Sequence, residues 1–111
     1  MGDGMKINVL GTEYTIRTKE RHKDTLLKSM DGYCDDSVKR IVVSHLEPEP
    51  DSKHDLEAVW KKVLRHEIIH AFLSESGLAE NSDWAQNEEI VDWIAIQGPK
   101  IYKVWKEVGA V

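Results

Sequence analysis

Apolar residues recur at steps of three and four between residues 56 and 72, and this pattern constrains the fold more than any other feature. Such spacing places apolar side chains on one face of an α-helix. Ser52 or Asp55 can cap the start of this helix, and Ser76-Gly77 can end it because glycine readily adopts the left-handed conformation. The apolar set is Leu56, Val59, Trp60, Val63, Leu64, Ile68, Ala71 and Phe72.

Two more helices are predicted downstream. The first begins after Asn81-Ser82-Asp83 and runs through WAQNEEIVDWIAIQ until Gly98-Pro99 breaks or kinks it. Pro99 then suits the first turn of a last helix, PKIYKVWKEVG, because a helix does not use the N–H group at that position. Four tryptophans occur at helical apolar positions and are interpreted as core or semi-buried packing residues: Trp60, Trp84, Trp93 and Trp105.

The N-terminal third of the chain has the alternation of β-strands. KINVLGTEYTIR alternates apolar and polar residues on both sides of a break at Gly11-Thr12, which predicts a hairpin. Residues 20–31 are interpreted as a loop or a short helix. The run Ile41-Val42-Val43 follows turn residues at Asp35-Asp36-Ser37 and predicts a third strand, with a partner near Tyr33.

The order of these elements, strands first and helices afterwards, predicts the α+β class. A chain of 111 residues with 41% hydrophobic content can build one modest core, so residues 1–111 are expected to form a single domain. Cloning can account for residues 1–4, in which case Met5 is the native start.

Charge and cysteine content limit the partners. The formal net charge is −5 and the two signs are interleaved, so no basic stripe is available for nucleic acid or for a membrane surface. Neither a signal peptide nor an apolar run of about 20 residues is apparent. Because Cys34 is the single cysteine, no intrachain disulfide can form, and we expect a cytoplasmic protein.

The predicted helix at residues 56–75 carries the sequence RHEIIHAF, in which two histidines flank a glutamate. His66 and His70 are about one helical turn apart, so their rings can reach one point, and Glu67 lies about 100° round the helix beside it. This geometry suits two neutral imidazoles that hold zinc and a carboxylate that moves the proton of an activated water. The spacing therefore predicts a metalloprotease site, and a hydrogen-bonded cluster without metal is the alternative.

A catalytic zinc needs a third protein ligand. The metzincin continuation is absent, because Leu73 and Ser76 stand where that motif has glycine and histidine, and no histidine follows His70. The third ligand should therefore be a carboxylate. The second helix is the better source, because residues in a turn are held less precisely. The candidates are Glu75, Glu80, Asp83, Glu88, Glu89 and Asp92.

In the second helix, NEEIVDW resembles the glutamate-helix motif of gluzincins, in which Asn-Glu is followed by Asp four residues after the Glu. The resemblance implies that Glu88 is the third zinc ligand and that Asp92 accepts a hydrogen bond from His66. Glu89 is the rival ligand. The order of elements is similar to that of the minigluzincins, reduced gluzincin catalytic domains, although the specific motifs cover only residues 66–70 and 87–92.

The resemblance implies a zinc peptidase that binds one zinc ion per chain and acts on a peptide or protein substrate. By analogy, the last strand before the zinc helix, residues 40–45, borders the cleft and pairs with extended substrate, or is ordinary core strand. Larger gluzincins place an oxyanion donor on a further subdomain, which a chain of 111 residues is not expected to contain, so a narrow or latent activity is expected. The substitute donors considered are Tyr33, His45, His54 and Tyr102.

The alternative function is a non-catalytic binding module that keeps zinc as a structural staple, since small domains often need one. A structural site normally closes its fourth position with another protein ligand, often cysteine, and Cys34 lies far upstream in the sequence. A staple also has no need of Glu67. Both features favour the peptidase.

Overall fold

A computed structural model describes residues 4–46 and 55–111. No helix in these ranges is both long enough and apolar enough to cross a bilayer. Strands precede helices, which confirms the predicted α+β class. The strands are β1 (Met5–Val9), β2 (Thr12–Lys19), β3 (Gly32–Asp35) and β4 (Arg40–Ser44), and the helices are α1 (Leu56–Glu75), α2 (Leu78–Asn81) and α3 (Glu88–Glu107). Short 3-10 helices lie at Arg21–Lys23, Thr25–Lys28 and Asp83–Gln86.

The four strands form one mixed sheet in the order β1-β2-β4-β3. The predicted hairpin is confirmed: Leu10 and Gly11, with φ of 50° and 93°, form the two-residue turn between β1 and β2. β2 and β4 are parallel, which requires the long connection through residues 20–39. That connection contains two 3-10 helices, in agreement with the predicted loop or short helix, and then β3.

The predicted third strand is confirmed as β4, and its predicted partner near Tyr33 is β3, which pairs with it antiparallel. Asp35 forms the expected turn, since its Oδ1 accepts hydrogen bonds from the Ser37 N–H at 3.1 Å and the Ser37 hydroxyl at 2.5 Å. β4 lies between β2 and β3, and Val42 and Val43 are both buried. The possibility that residues 40–45 accept a substrate strand is therefore wrong, because both sides of β4 are already paired.

Helix α1 begins and ends as predicted. The Asp55 side chain caps it by accepting a hydrogen bond from the Ala58 N–H at 2.9 Å, and Gly77 follows its end with φ of 84°. Ser52, the other candidate cap, lies outside the described residues. The alternating apolar residues of the strands pack against the apolar face of α1 in one core. This core is formed by Val9, Tyr14, Ile16, Ile41, Val43, Trp60, Val63 and Ala71.

The end of α1 is tied to the sheet through Glu75. Its carboxylate accepts hydrogen bonds from the Tyr14 hydroxyl at 2.8 Å and from the Thr12 hydroxyl at 3.2 Å, and pairs with Lys39 Nζ at 2.6 Å. These contacts, led by the hydrogen bond from Lys39, lower the pKa of Glu75. Because all three partners belong to the sheet or its turn, they fix where the histidine-bearing helix lies on the sheet.

The helical region after α1 differs from the prediction. Residues 83–86 form a 3-10 helix, and α3 then runs without a break from Glu88 to Glu107, through Pro99, so the expected separate C-terminal helix is part of α3. Proline has no N–H to donate to the Ala95 carbonyl four residues earlier. Arg65 of α1 supplies the missing donor, with Nε 2.7 Å from that oxygen.

Replacing Arg65 by alanine is expected to cost about 1–3 kcal/mol of unfolding free energy, because the carbonyl of the buried Ala95 loses its donor. The measurement is urea unfolding in a double-mutant cycle with Pro99→Ala, which restores a backbone N–H at position 99. Arg65→Ala should cost clearly less in the Pro99→Ala background. An equal cost in both backgrounds would mean that Arg65 acts by packing alone.

The tryptophans divide into two groups. Trp60 is buried in the core, as predicted, with 7% of its surface exposed. Trp84, Trp93 and Trp105 expose 45%, 56% and 50%, so these three are about half exposed and do not belong to the core. Spacing identifies a helical face but does not say whether another element covers it.

Candidate metal centre

His66 and His70 project from the side of α1 that packs against α3. Both are partly buried, their ring centroids are 4.8 Å apart, and their Nε2 atoms are 3.1 Å apart. The i, i+4 spacing therefore brings the two rings to one point, as the sequence predicts.

Glu88 completes the group from the first turn of α3. Asn87 caps that helix by accepting a hydrogen bond from the Ile90 N–H at 2.9 Å, which places Glu88 at its first position. The Glu88 carboxylate bridges the rings, with Oε1 2.8 Å from His70 Nε2 and Oε2 2.9 Å from His66 Nε2. The ligand atoms of the three residues all lie within 4.8 Å of one another.

The other carboxylates considered as third ligands do not join this group in the described ranges. Glu89 is exposed although it neighbours Glu88. Glu75 is bound to Lys39 and Tyr14, as described above, and Asp92 lies behind His66. Glu80 and Asp83 are exposed around the short helices between α1 and α3. The structure thus brings Glu88 to the histidines and leaves Glu89 outside.

Asp92 determines which nitrogen of His66 carries the proton. Its Oδ1 is 3.2 Å from His66 Nδ1 and 3.2 Å from Lys62 Nζ. Burial raises the pKa of Asp92, but the hydrogen bonds and charges of Lys62 and His66 outweigh burial and hold the pKa below its usual value. An ionised carboxylate only accepts hydrogen bonds, so Nδ1 of His66 is the donor and Nε2 of the neutral ring has a lone pair.

That lone pair faces a carboxylate. The Glu88 carboxylate lies 2.9 Å from His66 Nε2, and His70 Nε2 lies 3.1 Å from it. Burial lowers the pKa of His70 and so favours its neutral form. Lone pairs this close repel one another unless a cation or an additional proton lies between them. The group is therefore arranged to bind a positive charge, and a metal ion is one that two imidazoles and a carboxylate bind well.

Glu67 lies beside the three candidate ligands but is not one of them. Its side chain is buried, with 7% exposed. Burial raises the pKa of Glu67 to about 7; His66 opposes this shift and Glu88 adds to it. A carboxyl group with such a pKa can accept and release a proton near neutral pH.

Gly32 explains how β3 comes so close to Glu67. A Cβ atom at this glycine would lie 2.8 Å from Val63 Cγ1 and 3.4 Å from Glu67 Cγ. Only a residue without a side chain allows this approach of strand and helix. From the sequence, Gly32 is only a neighbour of Tyr33, where a strand partner is predicted. Its contact with α1 depends on the packing of the sheet.

A cleft of about 500 Å³ opens at this point. One wall is formed by Glu67 and His70 with Glu88, and the other by Gly32, Tyr33 and Cys34 of β3. Among the described strands, β3 lies at an edge of the sheet, since it pairs with β4 alone. The strand that borders the cleft is thus β3, rather than residues 40–45 as expected.

The candidate oxyanion donors are mostly distant from this cleft. Tyr33 lines it, but its hydroxyl donates to Asp24 Oδ2 at 2.6 Å. Tyr102 and His45 are exposed and do not line the cleft, and His54 lies outside the described residues.

The fold brings Cys34 to the cleft wall although it is distant in sequence. Burial raises the pKa of its thiol to about 12, with a further contribution from the charge of Glu67. The thiol is therefore protonated near neutral pH, and Cys34 does not join the candidate ligands in the described ranges.

Comparison with protein-family models, with curated proteins and with solved structures found no match. The resemblance to gluzincins therefore stays a prediction carried by the two motifs. What the structure adds is the meeting of those motifs in space, as a His-His-Glu group close enough to bind a metal ion.

Proposed function

We propose that this chain is a zinc-dependent peptidase in which His66, His70 and Glu88 hold one zinc ion and Glu67 transfers the proton. The observation that carries the proposal is the His-His-Glu group, whose ligand atoms lie within 4.8 Å of one another at a cleft, with the buried Glu67 carboxylate next to it. A metal ion relieves the repulsion in this group, and the adjoining cleft gives a substrate access to it.

Zinc suits this donor set better than magnesium or calcium, which prefer oxygen ligands. Zinc binds histidine nitrogen and carboxylate oxygen at about 2.0–2.2 Å, so tetrahedral ligand atoms lie roughly 3.3 Å apart. His70 Nε2 is 2.8 Å from Glu88 Oε1, His66 Nε2 is 2.9 Å from Glu88 Oε2, and the two Nε2 atoms are 3.1 Å apart. With one ligand atom from each residue, the group lies within 4.8 Å, so these side chains would adjust to accommodate the ion.

When bound, zinc would polarise the scissile carbonyl and lower the pKa of water at the site. Glu67 accepts a proton from the attacking water and donates it to the leaving amine, a role that its position beside the ligands and its burial favour. Asp92 keeps His66 in the tautomer whose Nε2 can bind the metal.

The edge of β3 is the proposed binding place for the peptide. An extended peptide added there would form main-chain hydrogen bonds with the side of residues 32–35 that no described strand pairs with, and would lie across the cleft wall opposite Glu67. In this mode β3 binds the backbone of the substrate, and the remaining cleft residues contact its side chains.

The direct test uses the zinc-loaded chain and a mixture of unstructured peptides, with mass spectrometry to identify cleaved bonds. We expect cleavage that a chelator abolishes and added zinc restores. One bound zinc without any cleavage would overturn the peptidase and support the alternative, a binding module with a structural zinc. A chain that binds no zinc would overturn both.

Asp92→Ala is expected to weaken zinc binding about 10- to 100-fold, because His66 loses the acceptor that holds its ring and tautomer. Competition with a chromophoric chelator measures the affinity. Lys62→Ala is the matched control, since it removes the other partner of Asp92 but leaves the bond to His66. An equal loss in both variants would mean that the ion pair, and not the orientation of His66, supports the site.

A further inference from the structure

The main-chain groups of Gly32 and Cys34 point to the edge of the sheet that the described strands form. In an antiparallel pair, directly opposite residues alternate between pairs that exchange hydrogen bonds and pairs that do not. The Ser44 N–H donates to the Asp31 carbonyl at 2.8 Å, directly across the ladder of β3 and β4. Every second residue of β3 from there bonds to β4, so the N–H and C=O groups of Gly32 and Cys34 face away from it.

The side-chain positions of these two residues face α1. A Cβ atom at Gly32 would meet Val63 and Glu67 of that helix. Cys34 is two residues further along the strand and therefore lies on the same face. Directly opposite residues of paired strands also share a face. A peptide bound at this edge would thus direct the side chains opposite Gly32 and Cys34 into the cleft, over α1.

Strand β3 runs along α1 toward the C-terminal end of the helix. It starts with Gly32, which packs against the middle of α1. The turn after β3 carries Lys39, whose Nζ is 2.6 Å from the Glu75 carboxylate at the end of α1. Cys34 is therefore nearer to that end than Gly32. A side chain opposite Cys34 would enter the cleft on the side of Ser74, which is one of its lining residues.

The end of the cleft beyond His70 is lined by small or uncharged side chains. Ser74 follows His70 by about one turn of α1, and Ala79 and Ala85 come from the short helices that follow. We refer to this end, lined by Ser74, Ala79, Ala85 and Gln86, as the small-residue pocket. Among the described residues that line the cleft, carboxylates occur only at and beside the His-His-Glu group.

Local contacts hold the wall of the small-residue pocket in place. The Gln86 side chain donates a hydrogen bond to the Ala79 carbonyl, which ties the 3-10 helix before α3 to α2. Behind the wall, Ala85 packs with Leu73 and Val91 in a second core cluster. The two alanines are therefore fixed, and their short side chains leave the space in front of them open. Such a preformed recess is typical of a binding pocket.

We propose that the small-residue pocket binds a bulky apolar side chain of the peptide, such as leucine or phenylalanine, at the position opposite Cys34. The inference rests on the proposed function, because it takes the peptide to lie along β3. Burial of apolar surface against Ala79 and Ala85 favours binding of such a side chain. An aspartate or glutamate would lose its hydration there, and no lysine or arginine among the described lining residues would pair with it.

Peptide binding tests the proposal without requiring cleavage. A labelled host peptide of glycine and serine carries one central guest residue: leucine, phenylalanine, alanine or aspartate. Fluorescence anisotropy gives the Kd of each peptide for the zinc-loaded Glu67→Gln chain, which is used so that cleavage does not consume the peptide. We expect leucine and phenylalanine to bind about tenfold more tightly than alanine, and aspartate to bind more weakly than alanine.

Filling the small-residue pocket should remove this preference. Ala79→Leu and Ser74→Leu each place a larger side chain in the pocket, so the leucine peptide should lose its advantage while the alanine peptide keeps its Kd. Ala58→Leu, on an exposed residue in the first turn of α1, is the matched control. Unchanged circular dichroism would show that a variant folds, and either pocket variant suffices. A leucine advantage that survives in the folded pocket variants would overturn the proposal.

Access to Cys34 shows where the peptide lies. It is the single cysteine of the sequence, so the rate at which iodoacetamide modifies the intact chain measures access to its thiol. The leucine peptide should slow this modification, because it would cover the cleft wall on which Cys34 lies. An unchanged rate at saturating peptide would overturn the position opposite Cys34.

The outcomes separate the small-residue pocket from the peptidase. Guest-dependent binding that the pocket variants abolish, without cleavage by the wild-type chain, would support the pocket and overturn the peptidase. Cleavage without any guest preference in binding would overturn the pocket and leave the peptidase in place. A chain that binds none of these peptides would overturn the pocket as well.

Discussion

Replacing Glu67 by glutamine is expected to lower the rate of peptide hydrolysis by about 10²- to 10⁴-fold while zinc stays bound. Glutamine keeps the size and most of the polarity of the side chain, but it cannot accept the proton of the attacking water. Because Glu67 lies beside the His-His-Glu group and is not one of its ligands, the metal content should not fall.

Initial rates on the best-cleaved peptide, measured beside native mass spectrometry of the same sample, separate the two effects. Glu89→Gln provides the matched control, as it makes the same chemical change on an exposed residue near the site. That control should retain wild-type activity. Full activity in Glu67→Gln would show that Glu67 takes no part in the reaction. Loss of zinc in this variant would show that Glu67 belongs to the metal site.

Replacing Glu88 by alanine is expected to weaken zinc binding by more than ~100-fold, a larger loss than an outer partner such as Asp92 would cause. The change removes one of three ligand residues and leaves two histidines on one helix, too few to hold zinc firmly. Glu89→Ala should keep one zinc per chain, since its carboxylate lies outside the group.

Native mass spectrometry of the wild-type chain and both variants, each supplied with the same amount of zinc, measures the zinc bound per chain. Loss in Glu88→Ala alone supports the proposed ligand set. Loss in Glu89→Ala alone would mean that α3 turns by one residue when metal binds and that Glu89 is the ligand. Zinc retained in both variants would mean that the third ligand comes from another part of the chain.

The two outcomes together decide between the functions considered. Zinc held by Glu88, with activity dependent on Glu67, is the result expected of a peptidase. Zinc held by Glu88 with no activity in wild type is the result expected of a binding module with a structural metal. The position of Cys34 on the cleft wall makes Cys34→Ser a useful addition, because a staple that uses this thiol would lose zinc in that variant.

Several features of the fold could be predicted from the sequence because they depend on neighbouring residues. The cap at Asp55, the end of α1 before Gly77 and the hairpin, whose turn at Leu10-Gly11 lies one residue before the predicted break, are local interactions within a few residues. The meeting of the His66 and His70 rings is likewise a consequence of helical geometry.

Other features were decided by contacts between distant residues. The parallel pairing of β2 with β4 makes β4 an inner strand, and Gly32 brings β3 against Val63 and Glu67 to form the cleft wall. Local patterns carry no information on which strand becomes the edge, because that depends on how the long connections fold.

The continuity of α3 has the same origin. Pro99 predicts a helix end, and it is tolerated because Arg65, on another helix, donates to the carbonyl that Pro99 leaves without a partner. The sequence by itself thus determined the individual elements and the i, i+4 histidine pair. Only the tertiary structure decided that Glu88 rather than Glu89 meets those histidines and that β3 faces Glu67, because both depend on how α1 packs against α3 and the sheet.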